Sequence, residues 1–222
     1  MAPSALALHS GLASEAAKDG QKPTSAVAGR LPYMFAMIPL ITHTPRLLIL
    51  AGSRALLTAE LYKPQYFPVL LGAVLPTDWP PGQYDQDAMR YFLEQLTAGG
   101  RTAAGWYNWY ALRKAEGGTP RTLIGAGGFM GPPDAAGTAE IGYSIAADWR
   151  GQGLGSELVA GLVQQAAATG MVRQLLAHTA ADNLPSQRAL VRNGFGPDGL
   201  AADGCLRFER AVEPPGGTEA DR

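Results

Sequence analysis

Cysteine, histidine and net charge are all scarce in this sequence of 222 residues. The single cysteine, Cys205, excludes a disulfide within the chain, and the three histidines are too scattered for a Cys/His metal site. A net charge of −1 gives no basic field that would attract nucleic acid. The longest apolar run, residues 31–41, is far too short to span a bilayer. We therefore expect a cytoplasmic protein that uses no metal, nucleic acid or membrane.

The length fits one domain with tails, and a hydrophobic content of 46% is enough for a core. Residues 1–30 contain no aromatic residue and are rich in alanine, serine and glycine, which predicts weak order. We expect three parts: an N-terminal extension at residues 1–43, a domain at residues 44–211 and a flexible tail at residues 212–222.

Two alternatives concern the N-terminal extension. A signal peptide is disfavoured because the apolar run begins late, after Arg30, and no A-x-A cleavage site follows it. The other hypothesis is that the working protein begins at Met34 or Met37, since recognisable domain sequence starts only near Thr44. The intact mass of the protein from its native host would decide between the start sites.

The most informative stretch is residues 139–156, AEIGYSIAADWRGQGLGS. In its first part Ile141, Tyr143 and Ile145 alternate with smaller or polar residues, which predicts a strand. A glycine-rich turn follows, and apolar side chains then recur at helical spacing over residues 154–170. The stretch therefore predicts a strand, a glycine-rich turn and a helix.

Such a turn is suited to binding a phosphate group. The first turn of a helix leaves backbone N–H groups without partners, and the helix dipole makes that end positive. Arg150 can add charge-assisted hydrogen bonds. The P-loop pattern is absent, because no lysine follows the glycines. The dinucleotide pattern nearly fits at Gly151 and Gly153 but meets Ser156 in its third place, and no acidic residue stands where the ribose would need one.

One known pattern does fit this turn. Arg150, Gly153 and Gly155 match [RQ]-x-x-G-x-[GA], the acetyl-CoA signature of the GNAT acetyltransferases. The surrounding sequence resembles the same family, in particular the branch that acetylates the N-termini of ribosomal proteins. The matching segments are TPRLLIL at 44–50 (first strand), EIGYSI at 140–145 (fourth strand), QLLAHT at 174–179 (fifth strand) and DNLPSQRALVRNGF at 182–195. The resemblance covers roughly residues 44–211.

The resemblance implies an α+β fold, with a mixed and mostly antiparallel central sheet of about seven strands and helices on both faces. The sequence patterns themselves predict the elements in the order β–α–α–β–β–β–α–β–α–β–β. Predicted helices cover residues 53–62, 86–97, 154–170 and 184–193, and a short segment after Pro68, which this order does not count, is also predicted to be helical.

The resemblance also implies acetyl-CoA as acyl donor, an amine as acceptor, and often a homodimer. The fourth and fifth strands of the family splay apart to admit the pantetheine arm. Carried over, the contacts to the pantetheine would come from Ser144, Ile145, Ala146 and Asn183. The contacts to the pyrophosphate would come from Arg150, Gly151, Gln152, Gly153, Leu154, Gly155 and Ser156.

Acetyl transfer to an amine needs a base and, at the leaving thiolate, an acid. Glu140, on the strand beside the donor, is our first hypothesis for the base, and His178 is its rival. Ser186 would lie near the thioester sulfur and is the candidate acid, although Asn183 and Ser186 would also suit the cap of a helix. Many relatives use a tyrosine as the acid, and this sequence has none after Tyr143.

The acceptor site is the least determined part. Candidate walls are the proline-rich segment 75–84, with Trp79 and Tyr84, and the aromatic strand 105–114, with Tyr107 and Trp109. Several aromatic residues on one strand more often form the core on one face and a cleft on the other than a binding site on both faces.

We therefore predict an N-acetyltransferase that moves an acetyl group from acetyl-CoA to a protein N-terminus or a small amine. The alternative is a CoA-binding sensor or partner module without transfer activity. A nucleotide-binding domain is disfavoured by both failed nucleotide patterns.

Overall fold

The computed structural model describes residues 39–82 and 84–213. The predicted extension up to residue 38 and the predicted tail from residue 214 lie outside these ranges. The strands are β1 Ile41–His43, β2 Leu47–Ala51, β3 Asn108–Arg113, β4 Thr122–Phe129, β5 Thr138–Ile145, β6 Gln174–Thr179, β7 Gly196–Leu200 and β8 Leu206–Ala211. The helices are α1 Arg54–Tyr62, α2 Phe67–Leu71, α3 Gln86–Gly99, α4 Leu154–Thr169 and α5 Leu184–Arg192.

The strands form one sheet in the order β1-β2-β3-β4-β5-β6-β8-β7. Every neighbouring pair is antiparallel except β5 and β6, which are parallel. This confirms the predicted α+β fold with a mixed, mostly antiparallel sheet. The strand count is eight rather than about seven, because β1 pairs with β2 from Ile41 onward. Three residues are too few to show an alternating pattern, so the sheet begins inside the range that we assigned to the extension.

The helices begin where their capping residues predict. The Ser53 side chain accepts a hydrogen bond from the Leu56 N–H at the start of α1, and the Asp85 side chain accepts two at the start of α3. The helix predicted after Pro68 begins one residue before it, with the proline in its first turn, where no backbone N–H is needed. No helix within the two described ranges is long and apolar enough to cross a membrane.

The two faces of the sheet carry different helices. The Tyr110 hydroxyl reaches Glu60 on α1, so this side chain points to what we call the α1 face. Tyr110 lies opposite Ala126, and Ala126 lies opposite Ser144. Directly opposed residues project to the same side of a sheet, so Ser144 of β5 also faces α1.

The other face, here called the α4 face, is packed by α4. A Cβ added at Gly155 would lie 3.5 Å from the side chains of Tyr143 and Ile145. At Gly161 an added Cβ would lie 2.1 Å from Ile49 Cδ1, so α4 approaches β2 too closely for a larger residue. The predicted alternation along β5 is therefore correct: Tyr143 and Ile145 face α4, while Ser144 faces α1.

Candidate active site

A gap opens between β5 and β6, the strands that resemble the fourth and fifth strands of the family. Their pairing ends at Glu140 and Leu176, whereas β5 continues to Ile145 and β6 continues to Thr179. The Ala146 N–H donates to the Ile124 carbonyl at 2.9 Å, on the β4 side. Backbone groups of a strand alternate between its two neighbours, so those of Ile145 point into the gap.

Ser144, Ile145 and Ala146 are all predicted to contact the pantetheine, but this alternation points their backbone groups in different directions. The backbone groups of Ser144 and Ala146 are directed at β4, and only Ile145 directs its own into the gap. The Ile145 carbonyl accepts a hydrogen bond from Arg150 Nε at 2.8 Å. Of these three residues, Ile145 is therefore the one whose backbone N–H faces the gap.

The Ser144 side chain contributes in a different way. The residue is only 1% exposed, and its Oγ has no hydrogen-bond partner among the described residues. A buried hydroxyl without a partner is unfavourable and needs an explanation. Its position on the α1 face beside the gap makes it a polar group that a ligand could satisfy.

The glycine-rich turn ends at the first turn of α4. Gly153 is the residue before the helix and has φ 77°, a left-handed conformation that favours glycine. The first intrahelical bond runs from the Glu157 N–H to the Gly153 carbonyl. The helix therefore leaves the N–H groups of Leu154, Gly155 and Ser156 without intrahelical acceptors, at its positive end. This is the geometry of an anion site.

The polar side chains of the glycine-rich turn form hydrogen bonds within the turn and to the elements next to it. Arg150 is held against the end of β5 by its bond to the Ile145 carbonyl, and Gln152 Nε2 donates to the Asp148 carbonyl at 3.1 Å. Gly151, like Gly153, has a positive φ, of 75°. Ser156 accepts hydrogen bonds from Asn193 Nδ2, which joins α4 to the end of α5.

Glu157 of α4 supports the glycine-rich turn, and it is not among the site residues predicted from the sequence. Its carboxylate accepts hydrogen bonds from Thr44 Oγ1 at 2.6 Å, from the Arg46 N–H at 2.7 Å and from Arg46 Nε at 2.6 Å. Burial alone would raise the pKa of Glu157, but these hydrogen bonds and the charge of Arg46 outweigh it and lower the pKa. Arg46 Nη1 also donates to the Gln152 carbonyl at 3.0 Å. No short-range pattern links residues 111 positions apart.

The two candidate bases form one pair. His178 Nδ1 lies 2.9 Å from Glu140 Oε1, with the side chains 22% and 40% exposed. Glu140 lies opposite Leu176, so His178, two residues further along β6, faces the α1 side as well. The two candidate bases, Glu140 and His178, are therefore in contact with each other at the edge of the gap.

The candidate acid also has a partner. Ser186 Oγ lies 2.9 Å from the Tyr143 hydroxyl, and both residues are buried. Burial raises the pKa of Tyr143, although the hydrogen bond with Ser186 acts in the opposite direction. Asn183 is the N-cap of α5 and accepts from the Ser186 N–H at 3.3 Å, so the capping alternative is present in the structure. We had not proposed Tyr143, because its partner lies 43 residues away on another element.

The four aromatic residues proposed for the acceptor wall separate into two groups. Trp109 is fully buried and faces α4, and Tyr107 is buried with its hydroxyl 3.3 Å from Gln95 Oε1 on α3. Both therefore lie in the core rather than in a wall of the gap. Trp79 and Tyr84 lie on the α1 face, where both donate to the Glu60 carboxylate at 2.8 Å. Trp79 is half-buried, whereas Tyr84 is buried.

Residues 67–196, more than half of the chain, match the acetyltransferase (GNAT) domain family. The chain belongs to the GNAT family. A similar GNAT protein is the uncharacterized N-acetyltransferase YjdG of Bacillus subtilis (strain 168), which is 30% identical over 125 residues, 56% of this chain and 71% of that protein.

Solved structures with the same GNAT fold include RimL, the ribosomal L7/L12 alpha-N-protein acetyltransferase, in complex with coenzyme A. It aligns with a TM-score of 0.54 and 20% identity over 79% of this chain and 97% of its own. Another is the acetyltransferase of Salmonella typhimurium that modifies the N-terminal serine of the 50S protein L7/L12, with a TM-score of 0.54, 17% identity and coverage of 79% and 99%. The predicted GNAT identity and acyltransferase class are confirmed.

Proposed function

We propose that this protein transfers an acetyl group from acetyl-CoA to a primary amine. One observation carries the proposal: the gap between β5 and β6 opens beside the glycine-rich first turn of α4 and beside the Glu140–His178 pair. A donor binding surface and a base are thus brought together from separate parts of the chain. Acetyl-CoA, when bound, supplies an acetyl group activated as a thioester.

The residues around the gap fit such a donor. The N–H groups of Leu154, Gly155 and Ser156 are suited to the pyrophosphate, with Arg150, Gly151, Gln152 and Gly153 shaping the turn around them. The Ile145 N–H is suited to an extended amide-containing arm in the gap. The buried Ser144 hydroxyl offers a further polar contact, and Asn183 lies at the mouth of the gap as the N-cap of α5.

The chemistry that we assign to these residues is a direct transfer. The Glu140–His178 pair takes a proton from the acceptor ammonium, so that the neutral nitrogen can bond to the acetyl carbon. The Ile145 N–H donates to the carbonyl oxygen as negative charge develops there. As the carbon–sulfur bond breaks, the paired Ser186 and Tyr143 hydroxyls supply a proton to the leaving sulfur. The nitrogen gives its second proton to solvent, and solvent returns a proton to the Ser186 and Tyr143 hydroxyls. The Glu140–His178 pair releases the first proton to solvent, and an amide and a thiol result.

A protein N-terminus is the acceptor that we favour over a small amine. The support is the likeness in fold to acetyltransferases that are named for ribosomal-protein N-termini. The expected homodimer and cytoplasmic location stay predictions.

The donor site is tested by a thermal-shift titration with acetyl-CoA, CoA, ATP and NAD. A ligand that binds only the folded state adds about 2.7 kcal/mol of stability at a hundredfold excess over its dissociation constant. We expect acetyl-CoA and CoA to raise the melting temperature and ATP and NAD to leave it unchanged. No shift with either CoA compound would contradict the proposal.

Transfer is tested with a hexapeptide that begins with serine, followed by thiol release. We expect Glu140→Gln to lower kcat by about 100-fold or more, as for loss of a general base, with the dissociation constant of acetyl-CoA within about twofold of wild type. Glu94→Gln removes the same charge from an exposed site on α3 and is the matched control. Acetyl-CoA binding without transfer to peptides or small amines would instead support the silent CoA-binding module.

A further inference from the structure

A buried carboxylate outside the proposed chemistry connects α1 to the sheet and to a loop. Glu60 of α1 is 9% exposed. Its Oε1 accepts from Trp79 Nε1 at 2.8 Å, and its Oε2 accepts from the hydroxyls of Tyr84 at 2.8 Å and Tyr110 at 2.5 Å. We call these four residues the Glu60 cluster.

The donors of the Glu60 cluster are all neutral. Among the described residues no lysine, arginine or histidine forms an ion pair with Glu60. Burial raises the pKa of Glu60, although the hydrogen bonds from Tyr110, Tyr84 and Trp79 act in the opposite direction. A buried charge without a counterion is unfavourable for folding. Its three directional hydrogen bonds therefore point to a role in positioning.

The segment that Glu60 positions is the loop at residues 75–84. The described residues of this loop, 75–82 and 84, include three prolines and no helix or strand, so tertiary contacts fix its place against the sheet. Trp79 and Tyr84 fix one side of it to Glu60. Asp78 fixes the other side, because its Oδ2 accepts from the Ala147 N–H at 2.8 Å. Ala147 lies two residues after Ile145, the last residue of β5.

The loop is therefore attached just past the C-terminal end of β5, beside the part of β5 that is not paired with β6. Tyr110 and Ser144 are two strands apart on the α1 face, a separation of about 10 Å at the usual strand spacing. Glu140 lies on the same face of β5, four residues before Ser144, and His178 lies beside it. An amine that gives its proton to this pair would approach on the α1 face, the face that also carries the loop.

We propose that Glu60 is a positioning residue for the amine acceptor. Its carboxylate holds Trp79 and the loop at residues 75–84 against α1, so that the loop forms the wall of the acceptor cleft beside Ser144. Glu60 itself does not touch the acceptor. This inference rests on the proposed acetyl transfer.

The first test is steady-state kinetics of Glu60→Gln with the serine hexapeptide. Glutamine keeps the shape of glutamate but has one acceptor oxygen for three donors, so the loop is held less precisely. We expect the KM for the peptide to rise about tenfold, kcat to stay within about twofold, and the dissociation constant of acetyl-CoA to stay unchanged. A purely structural role for Glu60 would not separate KM from kcat in this way. Glu94→Gln is again the matched control.

The second test is hydrogen exchange of the full chain, which needs no activity. In Glu60→Gln we expect faster exchange in the peptides that cover residues 75–84 and Ala147, with no change in α4. If Glu60→Gln does not fold, Tyr84→Phe removes only the loop's own hydroxyl from the carboxylate and should change KM and exchange in the same direction.

The outcomes separate the two proposals. Transfer by the wild type with an unchanged KM in Glu60→Gln overturns the role of Glu60 and leaves the proposed function standing. Faster exchange of the loop with an unchanged KM overturns it too, because the loop would then not be the acceptor wall. Absence of transfer by the wild type to any amine overturns the proposed function and the acceptor role together.

Discussion

Two carboxylates with little exposure to solvent, one on each face of the sheet, show how differently the same side chain can be used. Glu157 on α4 is bound by the guanidinium and N–H of Arg46 and by the Thr44 hydroxyl, and its pKa is lowered. Glu60 on α1 is bound only by neutral donors, and burial raises its pKa. The fold therefore stabilises the ionised form of Glu157 and disfavours the ionised form of Glu60.

Both carboxylates hold chain segments that have no regular structure of their own. Glu157 binds Arg46, which in turn donates to the Gln152 carbonyl of the glycine-rich turn. Glu60 binds Trp79 and Tyr84 of the loop at residues 75–84. Under the proposed function, one carboxylate would thus support the donor side of the gap and the other would support the acceptor side. We therefore expect substitution of Glu157 to affect the binding of acetyl-CoA and substitution of Glu60 to affect the binding of the amine acceptor.

The largest effect is expected from removing the Glu60 side chain altogether. Glu60→Ala leaves the polar hydrogens of Trp79, Tyr84 and Tyr110 buried without an acceptor, which should lower the free energy of unfolding by about 3 kcal/mol or more. Urea denaturation measures this loss. The exposed Glu94→Ala should change the same quantity by no more than about 0.5 kcal/mol. Equal losses in the two variants would show that the cluster is not structurally important.

A smaller effect is expected from neutralising Glu157. Glu157→Gln keeps the shape but removes the charge that Arg46 binds, which should lower the free energy of unfolding by about 1–2 kcal/mol. If the weaker support of the glycine-rich turn reduces the binding free energy of acetyl-CoA by about 1 kcal/mol, the dissociation constant of acetyl-CoA rises about fivefold. Calorimetric titration measures it. The same titration on Glu60→Gln should give the wild-type value, and a matching rise there would remove the distinction between the two faces.

The smallest effect is a difference in pH dependence. Because the folded pKa of Glu60 is raised, its stabilising contribution is complete below the unfolded pKa of about 4.3 and is lost as pH rises through the folded pKa. Because the folded pKa of Glu157 is lowered, its contribution is present above the unfolded pKa and is lost as pH falls through the folded pKa.

Melting temperatures between about pH 3 and pH 7 measure this difference. As the pH rises above about 4, Glu60→Gln should become more stable relative to wild type. As the pH rises through the lower part of the range, Glu157→Gln should become less stable relative to wild type, because the wild type gains the contribution of ionised Glu157. Parallel curves for the two variants would mean that the two environments do not differ in the way described.

The local features of the fold could be predicted from the sequence. The alternation at Ile141, Tyr143 and Ile145 predicts β5 and its two faces, and the glycines with the following leucines predict the turn and α4. Capping residues such as Ser53 mark helix starts correctly. The short strand Ile41–His43 could not be predicted, because only pairing with β2 defines it.

The candidate site was predictable only in part. Glu140, His178 and Ser186 were found as separate candidates, because each lies in a segment that resembles the family. Their pairing, and the partnership of Ser186 with Tyr143, depends on how β5, β6 and α5 meet in space. Aromatic character alone did not distinguish the buried Trp109 from Trp79, since burial depends on the face of the sheet.

The sequence by itself determined the order of the elements from β2 onward, the glycine-rich turn and membership of the GNAT family, because these depend on periodicity and on residues close together in the chain. The tertiary structure alone decided the opposite directions in which the pKa values of Glu60 and Glu157 are shifted. Neither carboxylate has a sequence neighbour that would distinguish it. Their donors come from 19 or more positions away, and the balance between lost hydration and hydrogen bonds is set only when those segments pack together.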